Sequence, residues 1–194
     1  MSSNFESRLC HIAYVGTDLE QMIDRVLQSG VGPIFYARDL HLNSRYRGEI
    51  HDLVISVAFV ATGDLLIELV VQDNDVPSAF KEHLALHPEG GLHHMAYYSD
   101  NLPATVARLK AEGREYVPVQ EFLMANGEPN EICLEPKGAK DPIFMQILLP
   151  SPWDDAFDKV KQAAREWDGS NPRREMRDLL PDHIKAALES GHAV

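Results

Sequence analysis

A stretch in the middle of the chain repeats one near its start, and this duplication limits the possible folds more than any other feature. Displaced by 83 residues, His94-Met95-Ala96-Tyr97 falls on His11-Ile12-Ala13-Tyr14, Leu102 on Leu19, Arg108 on Arg25 and Gly113 on Gly30. Over 11–30 and 94–113 there are 6 identities in 20 positions, where ordinary composition gives about one or two. Two copies are too few for a solenoid. They imply two equivalent halves of one domain, about 9–72 and 91–150.

Each half has the same local pattern. Leu9–Gly16 is apolar and β-branched enough for a strand, with His11, Ala13 and Val15 on one face. Thr17 or Asp18 can cap a helix whose apolar positions Leu19, Met22, Ile23, Val26 and Leu27 have helical spacing, and Gly30 ends it. A short strand at 33–38 follows, then a polar basic loop, a strand at 52–61 and its hairpin partner at 65–71. The second half repeats this as a strand at 92–99, a helix at 102–112 and strands near 115–119, 130–136 and 142–149. A short helix at 78–86 links the halves. The fold class expected is therefore α+β, with two βαβββ modules. The first eight residues are polar and expected to fray. Beyond Pro150, Trp153, Ala156, Phe157, Val160, Ala164 and Trp167 mark an amphipathic helix. Gly169-Ser170-Asn171-Pro172 breaks it, and a last helix runs to about Ser190, interrupted near Pro181. This extension, 151–194, suggests packing or dimer formation rather than chemistry.

At 194 residues and a net charge of −12, the chain is suited to neither nucleic acid nor an anionic membrane as its main partner. It has no apolar run of membrane-spanning length and no basic-then-apolar leader, so the cytoplasm is the expected compartment. Cys10 and Cys133 make neither a disulfide framework nor a zinc spacing. Cys10 is expected to point away from its neighbour His11, and Tyr14 and Tyr97 to pack beneath the helices.

Glu68 and Gln146 are each the one strongly polar side chain in an otherwise apolar strand, and each closes its half of the repeat. A carboxylate facing a sheet interior must be paired, hydrogen-bonded or metal-bound, or it takes up a proton. His83 and His87 share a helix face, but the His-Glu-x-x-His order is absent. Asp73-Asn74-Asp75 opens like a calcium loop without its glycine and closing glutamate, and fits a turn. Arg38, Arg45 and Arg47 concentrate positive charge in an acidic chain. Arg45 and Arg47 are candidates to hold a substrate carboxylate or phosphate, against the commoner alternative of a solvated loop.

The paired halves, the His-x-Ala-Tyr that opens each, and the stretches Asp64–Val70 and Gly91–Ala96 resemble the vicinal oxygen chelate superfamily. That superfamily includes glyoxalase I, methylmalonyl-CoA epimerase, extradiol dioxygenases and bleomycin and fosfomycin resistance proteins. The likeness covers about 9–150 and is greatest to the glyoxalase and methylmalonyl-CoA epimerase branch. It implies a cupped, barrel-like mixed sheet in which both halves hold one divalent metal, with His11, Glu68, His94 and Gln146 as ligands. His94 is preferred to His93 because the repeat aligns it with His11 and the two side chains alternate in face. Two imidazoles, a carboxylate and an amide oxygen suit Zn, Ni, Co, Mn or Fe(II). The carboxylate lies in the first half and the amide in the second, the reverse of the order expected for methylmalonyl-CoA epimerase, which puts the base on the other side of the substrate.

The resemblance implies a metal-dependent isomerase, epimerase or lyase acting through an enolate-type intermediate on a small oxygenated substrate, with Glu68 as base. Two other readings remain open: a drug-sequestering protein of the bleomycin-resistance kind, and an Fe(II) dioxygenase using His11, His94 and Glu68. Related proteins are often homodimers, and the same is expected here.

Overall fold

The computed structural model describes residues 8–189; the polar stretch at 1–7 and the final residues 190–194 lie outside the described residues. The first half comprises β1 (Leu9–Gly16), α1 (Leu19–Gln28), β2 (Ile34–Tyr46), β3 (Glu49–Thr62) and β4 (Leu65–Gln72). After the linking helix α2 (Ala79–Leu86), the second half comprises β5 (Gly91–Tyr98), α3 (Leu102–Ala111), β6 (Tyr116–Leu123), β7 (Pro129–Pro136) and β8 (Phe144–Leu148). The two main helices start and stop by the same chemistry. Asp18 and Asn101 each accept a hydrogen bond from a backbone N–H three residues on, at 3.0 and 2.9 Å. Gly30 and Gly113 then leave the helices at φ +81° and +75°.

Among the described residues the strands form one mixed sheet, ordered β3-β4-β1-β5-β8-β7-β6-β2, and β2 also pairs with β3. The sheet therefore curls back on itself, as the barrel-like expectation requires. The halves meet at β1 and β5, antiparallel, with His11 opposite Ala96 and Ala13 opposite His94. Within each half the opening strand lies parallel to the closing one: Ala13 is beside Glu68 and Ala96 beside Gln146. Since Ala13 and Ala96 are equivalent in the repeat, both halves have the same register.

Both main helices lie on the outer face of the sheet, α1 with Leu19 and Ile23 over Ile34, Val60 and Leu69 of the first half, and α3 with Leu102 and Leu109 over Ile132, Leu134 and Ile147 of the second. A third, larger cluster fills the concave side. Tyr14 is not packed beneath a helix; with Leu9 and Met95 it is exposed on the outer face at the β1–β5 junction. Tyr97, on the same strand face, is only partly covered.

The basic segment expected to be a loop is instead part of β2. Leu40, Leu42 and Ser44 alternate with exposed Asp39, His41 and Asn43, a period of two masked by the density of polar residues. The strand pairs with β3 along its whole length, with a bulge between Ala37 and Leu40 where Asp39 takes φ 51°.

The C-terminal extension also departs from expectation. α4 (Trp153–Arg165) forms as foreseen, but the segment after Pro172 is a short strand, β9 (Arg173–Glu175), added parallel to the start of β2. A single 3-10 turn (Met176–Leu179) follows, and α5 (Asp182–Glu189) begins only after Pro181. Ala156, Phe157, Val160 and Met176 are buried in the concave cluster, so the extension completes the core of the repeat. None of the described helices is long and apolar enough to cross a membrane.

Candidate metal centre

Four strands carry the site. His11 on β1, Glu68 on β4, His94 on β5 and Gln146 on β8 all face the concave side, because the two registers place them symmetrically about the β1–β5 junction. The residues between them are Ala13 and Ala96, both fully buried. A larger side chain at either would occupy the space the imidazoles need.

The donors converge. His11 Nε2 lies 3.2 Å from Glu68 Oε2 and 3.2 Å from His94 Nε2, and His94 Nε2 is 3.5 Å from Glu68 Oε2. One ligand atom from each of His11, Glu68 and His94 falls within 4.8 Å of the others, a spacing that can hold a metal ion. Gln146 Oε1 is buried and, though it lies near enough to the His94 ring to interact with it, makes no well-formed hydrogen bond. A buried carbonyl oxygen without such a bond is costly unless an electrophile faces it. The donor set therefore fits a divalent cation.

Equivalent neighbours anchor the far side of each imidazole. His11 Nδ1 lies 3.4 Å from Cys10 Sγ, and His94 Nδ1 lies 2.8 Å from His93 Nδ1. Positions 10 and 93 coincide in the repeat. Such contacts set which ring nitrogen faces the site. The expectation that Cys10 points away from His11 is thus corrected, since a register shift between Leu9 and His11 brings the thiol into the concave cluster. Cys133, on β7, is buried, and its thiol is pushed up chiefly by burial and then by the Glu131 charge.

The electrostatics of the cluster follow from placing a carboxylate between two rings. Burial disfavours the charged form of His11, but Glu68 outweighs it and raises the pKa to about 10. Burial likewise works against Glu68 ionisation, and His11 overrides it, holding the carboxyl well below its ordinary range. His94 is lowered by burial, an effect only partly offset by Glu68, so it is the neutral ring of the pair.

One cavity residue escaped the sequence reading. Glu131 on β7 lines the same cavity, and its Oε2 accepts a hydrogen bond from Gln146 Nε2 at 2.5 Å. Burial first, and the Glu68 charge second, raise its pKa to about 7. The usable signal was parity: Cys133 pairs with Gln146, and Glu131 is two residues away on the same strand face.

Arg45 and Arg47 do not join the cluster. Arg45 pairs with Glu121 at 2.5 Å, while Arg47 pairs with Glu82 at 2.7 Å and reaches Glu135 at 3.4 Å. Neither lines the cavity. Of the other histidines, His87 pairs with Asp141 at 2.7 Å, and His83 is buried with its ring 5.3 Å from that of His93.

Comparison with known proteins agrees with this architecture. The structure resembles a hypothetical protein from Bacillus halodurans C-125 at 18% identity and TM-score 0.51, covering 75% of this chain and 96% of that one. It also matches methylmalonyl-CoA epimerase from Mycobacterium tuberculosis at 19% identity and TM-score 0.48, covering 74% and 88%. A mutant 4-hydroxymandelate synthase from Streptomyces coelicolor matches at 15% identity and TM-score 0.47, covering 75% of this chain and 49% of that one, so this chain spans about half its length. No curated protein sequence matches. Residues 10–131, well over half of the sequence, match a family described as the Glyoxalase/Bleomycin resistance protein/Dioxygenase superfamily. The chain belongs to that superfamily.

Proposed function

We propose that this protein is a divalent-metal-dependent isomerase, epimerase or lyase that moves a proton beside a carbonyl in a small oxygenated substrate. The observation that carries the reading is the convergence of His11, Glu68 and His94 around one point, with the buried Gln146 oxygen beside them. These four residues would hold the cation, which when bound supplies Lewis-acid stabilisation of negative charge on a substrate oxygen.

The remaining chemistry belongs to two carboxyl groups in one cavity wall. Glu68 is held ionised and Glu131 is raised to about 7. Environments that push two carboxyls apart in this way separate a base from an acid. Glu68 takes the substrate proton, and Glu131, which lines the same cavity and accepts from Gln146, is placed to return one. The apolar walls keep bulk water from the carbanionic carbon.

Solvent-deuterium incorporation tests the reading. Metal-loaded protein is incubated in D2O with a panel of 2-oxoacyl-CoA, hemithioacetal and catechol compounds, and the substrates are followed by NMR. We expect exchange at one carbon-bound position and loss of that exchange in Glu68→Gln with the fold intact. Undiminished exchange in the variant rejects Glu68 as base. The triad of two histidines and one carboxylate also favours a second reading, an Fe(II) oxygenase. Oxygen uptake with a catechol and no deuterium incorporation supports that alternative instead.

A further inference from the structure

The cavity beside the ligand cluster is uneven in character. Its ionisable and ligand-type side chains are those of His11, Glu68, His94, Gln146 and Glu131; Asn43, Asn130 and Ser151 add neutral polar groups, and most of the remainder is aromatic and aliphatic, including Leu42, Phe59, Phe80, Phe122, Trp153 and Phe157. No lysine or arginine is among the described residues that line it. The nearby arginines are committed elsewhere, Arg45 to Glu121 and Arg47 to Glu82. Size narrows the occupant further. The cavity, its ligand-cluster end included, measures about 140 Å³ and is partly open; an enclosed apolar cavity of about 150 Å³ accommodates one benzene molecule, so a single ring is the scale that fits here.

Two of the walls come from the C-terminal extension rather than from the repeat. Phe157 lies with its ring 4.9 Å from Phe59 and 6.4 Å from His11, and Trp153 is 6.5 Å from Phe157. Tyr98 fixes the start of α4 by donating to Asp154 at 2.8 Å. The family match ends at residue 131, so these walls belong to a part of the chain outside it.

We propose that the substrate carries a single uncharged benzene-sized ring in this chamber, with its polar oxygens confined to the end facing the ligand cluster, and that Phe157 and Trp153 are specificity-determining residues. A carboxylate or phosphate at the ring end would be stripped of water without a cationic partner, in a cavity that already holds two carboxyl groups. A ring there removes its own apolar surface from water and meets aromatic edges and faces at close range. The placement of the oxygens rests on the metal reading above; the ring chamber stands on its own walls.

Isothermal titration of the Zn2+-loaded protein with benzohydroxamate and acetohydroxamate provides the test, because the two share chelating atoms and differ only in phenyl against methyl. We expect benzohydroxamate to bind at least tenfold more tightly, malonate more weakly than benzohydroxamate, and the phenyl preference to shrink in Phe157→Ala. Equal affinities, or tighter binding of malonate, would overturn the proposal while leaving the metal centre standing; this comparison needs no variant. If Zn2+ itself fails to bind, the metal reading falls and toluene is titrated into the metal-free protein. Toluene binding that is lost in Phe157→Trp, where the larger ring fills the chamber, supports the ring site. No toluene binding removes it.

Discussion

Gln146 meets two demands at once. Its amide nitrogen donates to Glu131, which turns the buried amide oxygen, lacking a well-formed hydrogen bond of its own, toward the ring of His94. Without Glu131 nothing distinguishes the two ends of that amide, and the nitrogen end would repel a cation. Neighbours that orient a ligand are worth about 10–100-fold in metal affinity. Glu131→Ala should weaken Zn2+ binding by a factor in that range, and Glu131→Gln by less, since its amide oxygen still accepts from Gln146. Titration calorimetry on both variants checks the order. At the same scale, the His11–Glu68 pair sets the pH dependence. His11 is protonated at neutral pH because its pKa is raised to about 10, and a ligand must lose that proton before it binds metal. Zn2+ binding at pH 7 should therefore release about one proton from His11, and affinity should rise about tenfold per pH unit toward that pKa. Binding heats compared in buffers of different ionisation enthalpy report the proton count; heats independent of buffer would contradict it.

The elements carry constraints that no single ligand reveals. Gly90 precedes β5 at φ +79°, where a Cβ would stand 2.3 Å from the Val15 carbonyl oxygen and 3.0 Å from Gly16 Cα. The close approach is between the end of β1 and the start of β5, the two strands that bear the histidines. Gly90→Ala pays about 1–2 kcal/mol for the left-handed backbone alone, and the contact with backbone atoms adds to it. The variant should lower the thermal midpoint and weaken metal binding together, as followed by circular dichroism and titration. An unchanged midpoint would mean that these strands separate freely. α4 acts at this scale as well. It reads in sequence as an amphipathic helix whose apolar face packs on something, and Phe157 shows that the something includes the wall of the cavity beside the ligand cluster.

Across the whole molecule, what the sequence disclosed tracks the range of the interaction involved. Repetition gave away the two halves, because the equivalence of His11 and His94 is written in the chain. Strand parity then brought Glu68 and Gln146 to the same concave face as the histidines, as the register confirms. Glu131 was missed although β7 and β8 are consecutive strands, since its role follows only once the register sets Cys133 opposite Gln146, and that register is not written in the repeat. Arg45 and Arg47 invited a binding role through charge alone, but partners distant in sequence, Glu121 and Glu82, engage them. Asp39 and its neighbours resembled a loop because a polar outer face on β2 hides its alternation. The fold was thus visible through symmetry, and Glu131 and the arginine pairings only through strand register and contacts that the symmetry does not encode.

The central claim is that both halves of the repeat jointly hold one cation. Zn2+ titration of the metal-free protein, of His11→Ala and of His94→Ala tests it most directly. The account predicts one Zn2+ per chain and a loss of at least 100-fold in affinity from either substitution, with both variants folded. No binding by the unaltered chain, or a loss confined to one half, would contradict it.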